Sequence, residues 1–155
     1  MKMDASMLLY MAIGILGGVC VALEGSLNAL LGKHVGVLRA TIAPFAVGLV
    51  TILIVVAVAN PGKGGTAQEW LSAPWYTYLG GVAAAVFVGS IIYVSPKVGL
   101  AAAFSAVLVG QFAASLLVDA AGFVTGERLP ITLWRLVGLG FVIVGMRLFF
   151  MKPSV

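Results

Sequence analysis

"MLLYMAIGILGGVCVALEGSLNALL", residues 7–31, carries one charged group, Glu24, in an unbroken apolar run. A helix on a water-facing surface would show a polar stripe along its whole length. This run shows polarity only at Glu24, Ser26 and Asn28. At ~1.5 Å per residue it is long enough to cross a ~30 Å hydrocarbon layer. Four further apolar runs of similar length follow, at about 40–59, 75–95, 98–121 and 131–151. With 62% hydrophobic and 9% charged residues and a mean hydropathy of +1.16, 155 residues cannot enclose that much apolar surface in a water-soluble core. The expected fold is an all-α integral membrane protein, one domain over 1–155 with five transmembrane helices. An odd number of spans places the two ends of the sequence on opposite sides of the membrane. The first run is too long for a signal peptide and no small-residue cleavage site follows it, so it reads as a mature helix.

The expected connections are "GKHVGVL" between spans one and two, "NPGKGGTAQEWLSAP" between two and three, "SPKVG" between three and four, and "GFVTGERLP" between four and five. The second is rich in Gly and Pro and reads as a flexible surface loop. Trp70, Trp75, Tyr76, Tyr78 and Trp134 cluster at one face of the membrane, as aromatic belts do. The single cysteine, Cys20, allows no intrachain disulfide and reads as a small packing residue. His34, beside Lys33, reads as solvated. Basic residues are not clustered, so the excess of positive charge marks loops and not a nucleic-acid surface.

Lys2, Lys63, Arg128 and Arg135 fall on one side of the five spans; Lys33, Arg39, Lys97, Arg147 and Lys152 fall on the other. Orientation follows the imbalance of these counts, and four against five is nearly balanced. Such a chain is expected to insert both ways, and oppositely inserted copies can pair as an antiparallel homodimer, the two-chain counterpart of an inverted repeat; the alternative is that one local signal, such as Lys33 with Arg39, fixes a single orientation. Gly14 with Gly18 on the first helix, and Gly138 with Gly145 on the last, allow close helix contact in lipid.

Glu24 shares a helical stripe with Gly14, Gly17, Val21 and Asn28. It lies about seven residues before the end of its run, ~10 Å deep by helical rise. An unpaired charge near a bilayer centre costs about 3 kcal/mol or more, so the carboxyl is expected to face the bundle or a wet cavity. An acid in that setting can exchange a proton or a cation, the simplest coupling device for a small transporter; the alternative is a protonated acid that only bonds between helices. Asn28 is placed to donate to it. Gln111, Ser115 and Asp119 form a second polar stripe on the fourth span. Gln111 serves either as interhelical glue or as cavity lining, and Asp119 can pair with Arg128 or Arg135. Pro44 is a candidate kink in the second span. No metal-ligand cluster, phosphate loop or catalytic triad motif is found, so no cofactor, metal site or enzymatic role is expected.

"ALEGSLNALLGKHVG", "YLGGVAAAVFVGSIIYVSPKVGLAAAFSAVLVGQFAASLLVDAAG" and "TGERLPITLWRLVGLGFVIVGM" together resemble the YdcZ-like inner-membrane family of the drug/metabolite transporter superfamily. The resemblance implies five-helix subunits of a bacterial inner-membrane transporter, encoded as balanced-charge single chains, oppositely oriented pairs or fused ten-helix chains. It also implies distant kinship with small multidrug resistance transporters, whose first helix carries a proton-coupling glutamate. Where the family is expected to show glutamine this chain has Glu24, so proton coupling rests on the physical argument alone. The expected function is proton-coupled movement of a small, possibly cationic solute, with Glu24, Asn28 and Gln111 as the binding groups and with lipid and a second copy as partners. A passive ion channel, a non-transporting assembly partner and a self-pairing relic of duplicated transporters are the rival readings.

Overall fold

The computed structural model describes residues 5–59, 66–124 and 126–151. Among these every regular element is a helix: α1 (Ala5–Val35), α2 (Val37–Ala59), α3 (Ala67–Ser72), a 3-10 turn (Trp75–Leu79) leading directly into α4 (Gly80–Val98), α5 (Leu100–Ala121) and α6 (Leu133–Phe150). Five segments are long and apolar enough to cross a membrane: Ser6–Val35, Val37–Ala59, Trp75–Val98, Leu100–Ala121 and Leu133–Phe150. They match the five expected spans. Lys2, Lys63 and Lys152 of the charge count lie outside the described residues.

The connections are shorter than the sequence suggested. α1 runs through Lys33 and His34, so "GKHVGVL" is not a loop; Gly36 alone separates α1 from α2. Its φ of +83°, a region costly for any residue with a Cβ, turns the chain in one step. Its N–H donates to Gly32 O at 2.9 Å, closing α1, and its own carbonyl accepts from Ala40 N at 3.0 Å, opening α2. "SPKVG" is resolved the same way. α4 continues through Pro96 to Val98, and Gly99, with φ +91°, is the whole connection. Gly99 N donates to Ser95 O at 2.9 Å and Ala103 N to Gly99 O at 3.1 Å. Pro96 is tolerated because, in the last turn of the helix, it deprives only the Ile92 carbonyl of a donor. Pro44 likewise sits inside a continuous α2. His34 stays exposed, with Nδ1 3.0 Å from Leu30 O.

The expected flexible loop before the third span contains α3. Thr66 and Glu69 make a reciprocal capping box: Glu69 N donates to Thr66 Oγ1 at 3.3 Å and Thr66 N to Glu69 Oε2 at 2.7 Å. Tyr78 Oη donates to the Trp70 carbonyl and ties this helix to the following turn. Trp70, Trp75, Tyr76, Tyr78 and Trp134 are all exposed, the disposition an aromatic belt requires.

The chain divides into two compact units, Met1–Tyr93 and Val94–Val155. In the first, α1 packs on α2, and Ala40, Val88 and Ile92 form a buried cluster with Leu31, Val37 and Phe87 around it. Lipid is as apolar as these side chains, so the cluster holds by close packing and not by exclusion from water. Gly32 makes that packing possible, because a Cβ there would stand 2.5 Å from Ile92 Cγ2. In the second unit α5 packs on α6, and α5 ends at Gly122 in the left-handed region, φ +70°.

Gly32→Val is expected to destabilise the protein by about 1–3 kcal/mol, since Ile92 is buried and β-branched and cannot swing aside. Gly36→Ala should cost about 1–2 kcal/mol through its positive φ. Thermal unfolding of the purified variants followed by circular dichroism measures both.

Candidate functional site

Glu24 and Asn28 stand one turn apart on α1, and Asn28 Nδ2 donates to Glu24 Oε1 at 3.1 Å. A carboxyl oxygen accepts in either protonation state, more strongly as a carboxylate, so the bond orients the group. Asn28 is 8% exposed and Glu24 half-buried. α1 continues eleven residues beyond Glu24 to Val35, with Lys33 and His34 in its last turn.

The two ends of α1 differ. Residues 6–23 are exposed throughout, including Val21. From Glu24 onward one face is covered, through Glu24, Gly25, Asn28, Ala29, Leu31 and Gly32. The polar pair therefore sits where the covered part of α1 begins. Gly14, Gly17 and Gly18 have nothing within 4 Å of the point where a Cβ would be, so the expected GxxxG contact is made with no described residue of this chain. Gly138 and Gly145 on α6 are equally open.

Gln111 belongs to the second unit, on α5, and is exposed. Ser115 and Asp119, one and two turns further along, line a cleft of about 530 Å³ between α5 and α6. Of the two arginines open to Asp119, the structure selects Arg135, with Nη1 3.3 Å from Oδ2. Each charge sits at the helix end whose dipole disfavours it: Asp119 in the last turn of α5, Arg135 in the first turn of α6. Pairing relieves both. The Asp119 carbonyl also accepts from Gly122 N and Leu129 N, both at 3.0 Å, so this residue ties the end of α5 to the segment leading into α6.

A wider groove of about 890 Å³ lies between α2 and α4, walled by Phe45, Leu49, Val82 and Val86. Its Thr41 and Ser90 hydroxyls donate to their own helices, to Val37 O at 2.9 Å and Val86 O at 2.7 Å. Two features escaped the sequence reading. Arg135 as part of a lined cleft is one; the pairing was foreseen, the cavity beneath it was not. The other is Ser95, 6% exposed, whose hydroxyl has no hydrogen-bond partner among the described residues. A Ser-Pro dipeptide reads as a turn, and α4 instead runs through it. No group of three or more metal-ligating side chains occurs among the described residues.

With five spans and these polar positions in place, the family comparison has a structural frame. The family model described as "Putative inner membrane exporter, YdcZ" matches residues 9–148. The chain belongs to this family. It is thus a multi-pass inner-membrane protein of an exporter family, and the match runs from α1 to α6, taking in Glu24, Asn28, Gln111, Asp119 and Arg135. No curated protein and no solved structure matches it.

In this YdcZ-family chain, Gly122→Ala should destabilise more than Arg135→Gln. An added Cβ at Gly122 would meet Glu127 C at 3.1 Å and Arg128 N at 3.2 Å on top of a positive φ, together about 1–3 kcal/mol. The half-exposed ion pair is worth about 1 kcal/mol at most. Thermal unfolding of the two variants side by side orders them.

Proposed function

We propose that this chain is one subunit of an antiparallel homodimer that exports a small cationic solute across the inner membrane in exchange for protons. The observation that carries the reading is the position of Glu24, held by Asn28 at the point where the covered part of α1 gives way to an uncovered stretch with three open glycines. A second, inverted copy that crosses α1 at Glu24 would bring a second carboxyl beside the first, and the open glycines leave the adjoining stretch free for its backbone. Small residues permit such approach in lipid, where packing and polar contacts are what join helices. The near balance of basic residues across the five spans supports insertion in both orientations.

The coupling follows from one constraint: two carboxylates in a low-dielectric cavity attract a cation or protons, and binding one disfavours the other. Solute enters with both acids ionised, protonation displaces it, and return of the empty protonated form resets the carrier. Asn28 contributes orientation in both states, because its donated bond survives protonation. Family membership supports transport as the activity; the cation and the proton are inferred from the carboxyl chemistry.

Glu24→Gln, nearly isosteric, is expected to abolish proton-coupled flux of cationic solutes in proteoliposomes while leaving the dimer intact by cross-linking. Undiminished coupled flux in that variant rejects the site, and flux linear in the gradient and indifferent to Glu24 identifies a channel instead. Orientation is tested separately, with Cys20→Ala combined with Val155→Cys. A membrane-impermeant thiol reagent should label about half of that protein in intact cells if the balanced charges leave orientation undirected. Labelling wholly on one side removes the antiparallel homodimer.

A further inference from the structure

The α5–α6 cleft has a different chemistry from the Glu24 pair. Its walls are apolar, formed by Phe112, Leu116, Leu139 and Val142, and one end is closed by the Asp119–Arg135 pair. Asp119 lies two residues inside the end of its span and Arg135 two inside the start of the next, so the charged end sits at headgroup level. The neighbouring Trp134, 81% exposed, is the side chain expected at that level. From Asp119 the cleft follows α5 inward to Phe112, two turns or ~10 Å by helical rise.

We infer that this cleft binds one aminophospholipid, with the headgroup ammonium on Asp119, the phosphate on Arg135 and the start of an acyl chain along the apolar walls. Charge complementarity decides the headgroup. The mouth of the cleft holds one negative and one positive side chain, each about one-third exposed and joined by a single contact at 3.3 Å, longer than charge-assisted bonds usually are. A zwitterion entering head to tail replaces that contact with two and leaves neither charge unpaired. An anionic headgroup would engage Arg135 and strand Asp119. A choline headgroup has no N–H to donate to the carboxylate. A primary ammonium with a phosphodiester satisfies both sides. The chain-like depth of the apolar wall decides in favour of a lipid over a free zwitterion, because a soluble headgroup would leave the cleft below Ser115 empty. This site is independent of the transport reading, which rests on α1.

The test uses the full chain, purified in detergent and delipidated, then offered equimolar phosphatidylethanolamine, phosphatidylcholine and phosphatidylglycerol, with retained lipid counted by native mass spectrometry. One phosphatidylethanolamine per chain is expected, preferred about tenfold over the other two. Asp119→Asn should erase the preference. Gly138→Leu, which keeps both charges and has open space for its side chain, should fill the cleft and abolish retention. Circular dichroism verifies folding, and if Asp119→Asn fails to fold, Gly138→Leu carries the test. Equal retention of the three lipids by the unaltered protein overturns the site as annular lipid. So does a preference that survives Gly138→Leu. Displacement by glycerophosphoethanolamine at the concentration effective for the lipid would overturn the acyl-chain assignment; failure to displace supports it.

Discussion

Lipid gives apolar side chains no reason to seek one another, so the first unit depends on how closely its backbones can approach. That approach is greatest at Gly32, where even a methyl group would collide with Ile92. The contact sets α1 against α4, and Ala40, wholly buried, fills the space left beside them. A bundle in water would recruit large side chains for the same purpose. Here the closest approach is set by the smallest residues, and most large side chains face outward. Leu38, Leu49, Phe141 and their like are exposed because the solvent accepts them.

The same constraint divides the polar residues into two kinds. Side chains such as Thr41, Thr51 and Ser90 donate to carbonyls of their own helices and make no demand on their surroundings. Glu24 with Asn28, and Asp119 with Arg135, are satisfied by other side chains. The first pair lies within one long helix, at the point where α1 begins to be covered. The second ties the end of α5 to the start of α6, each member compensating the other's poor position on its helix dipole.

Sequence reading recovers the spans because length and continuous hydropathy are local properties, insensitive to what packs where. It recovers the Glu24–Asn28 bond for a similar reason: a four-residue spacing on a helix is sufficient to place donor beside acceptor. It fails at the ends of elements. Gly36 and Gly99 are each a whole connection made by one positive-φ residue, and nothing in "GKHVGVL" or "SPKVG" distinguishes that from a loop of five or seven. The capping signal at Thr66 and Glu69 was present in "TAQE" and was outweighed by the surrounding Gly and Pro. The α5–α6 cleft was invisible because a cavity arises from the angle between two helices, which no single stretch encodes. Asp119 had two arginines within plausible reach, and only the fold of the intervening segment chose between them.

The one-residue corners also bear on how the protein is made. A helix followed by a long hydrophilic loop can enter the bilayer alone and wait for its successor. α1 and α2 share no such slack, nor do α4 and α5. Each pair reaches the membrane as a unit, with Lys33, His34 and Arg39 crowded around the first bend and Lys97 beside the second. Whichever way the first pair enters, its bend arrives with its positive charges already fixed on one side.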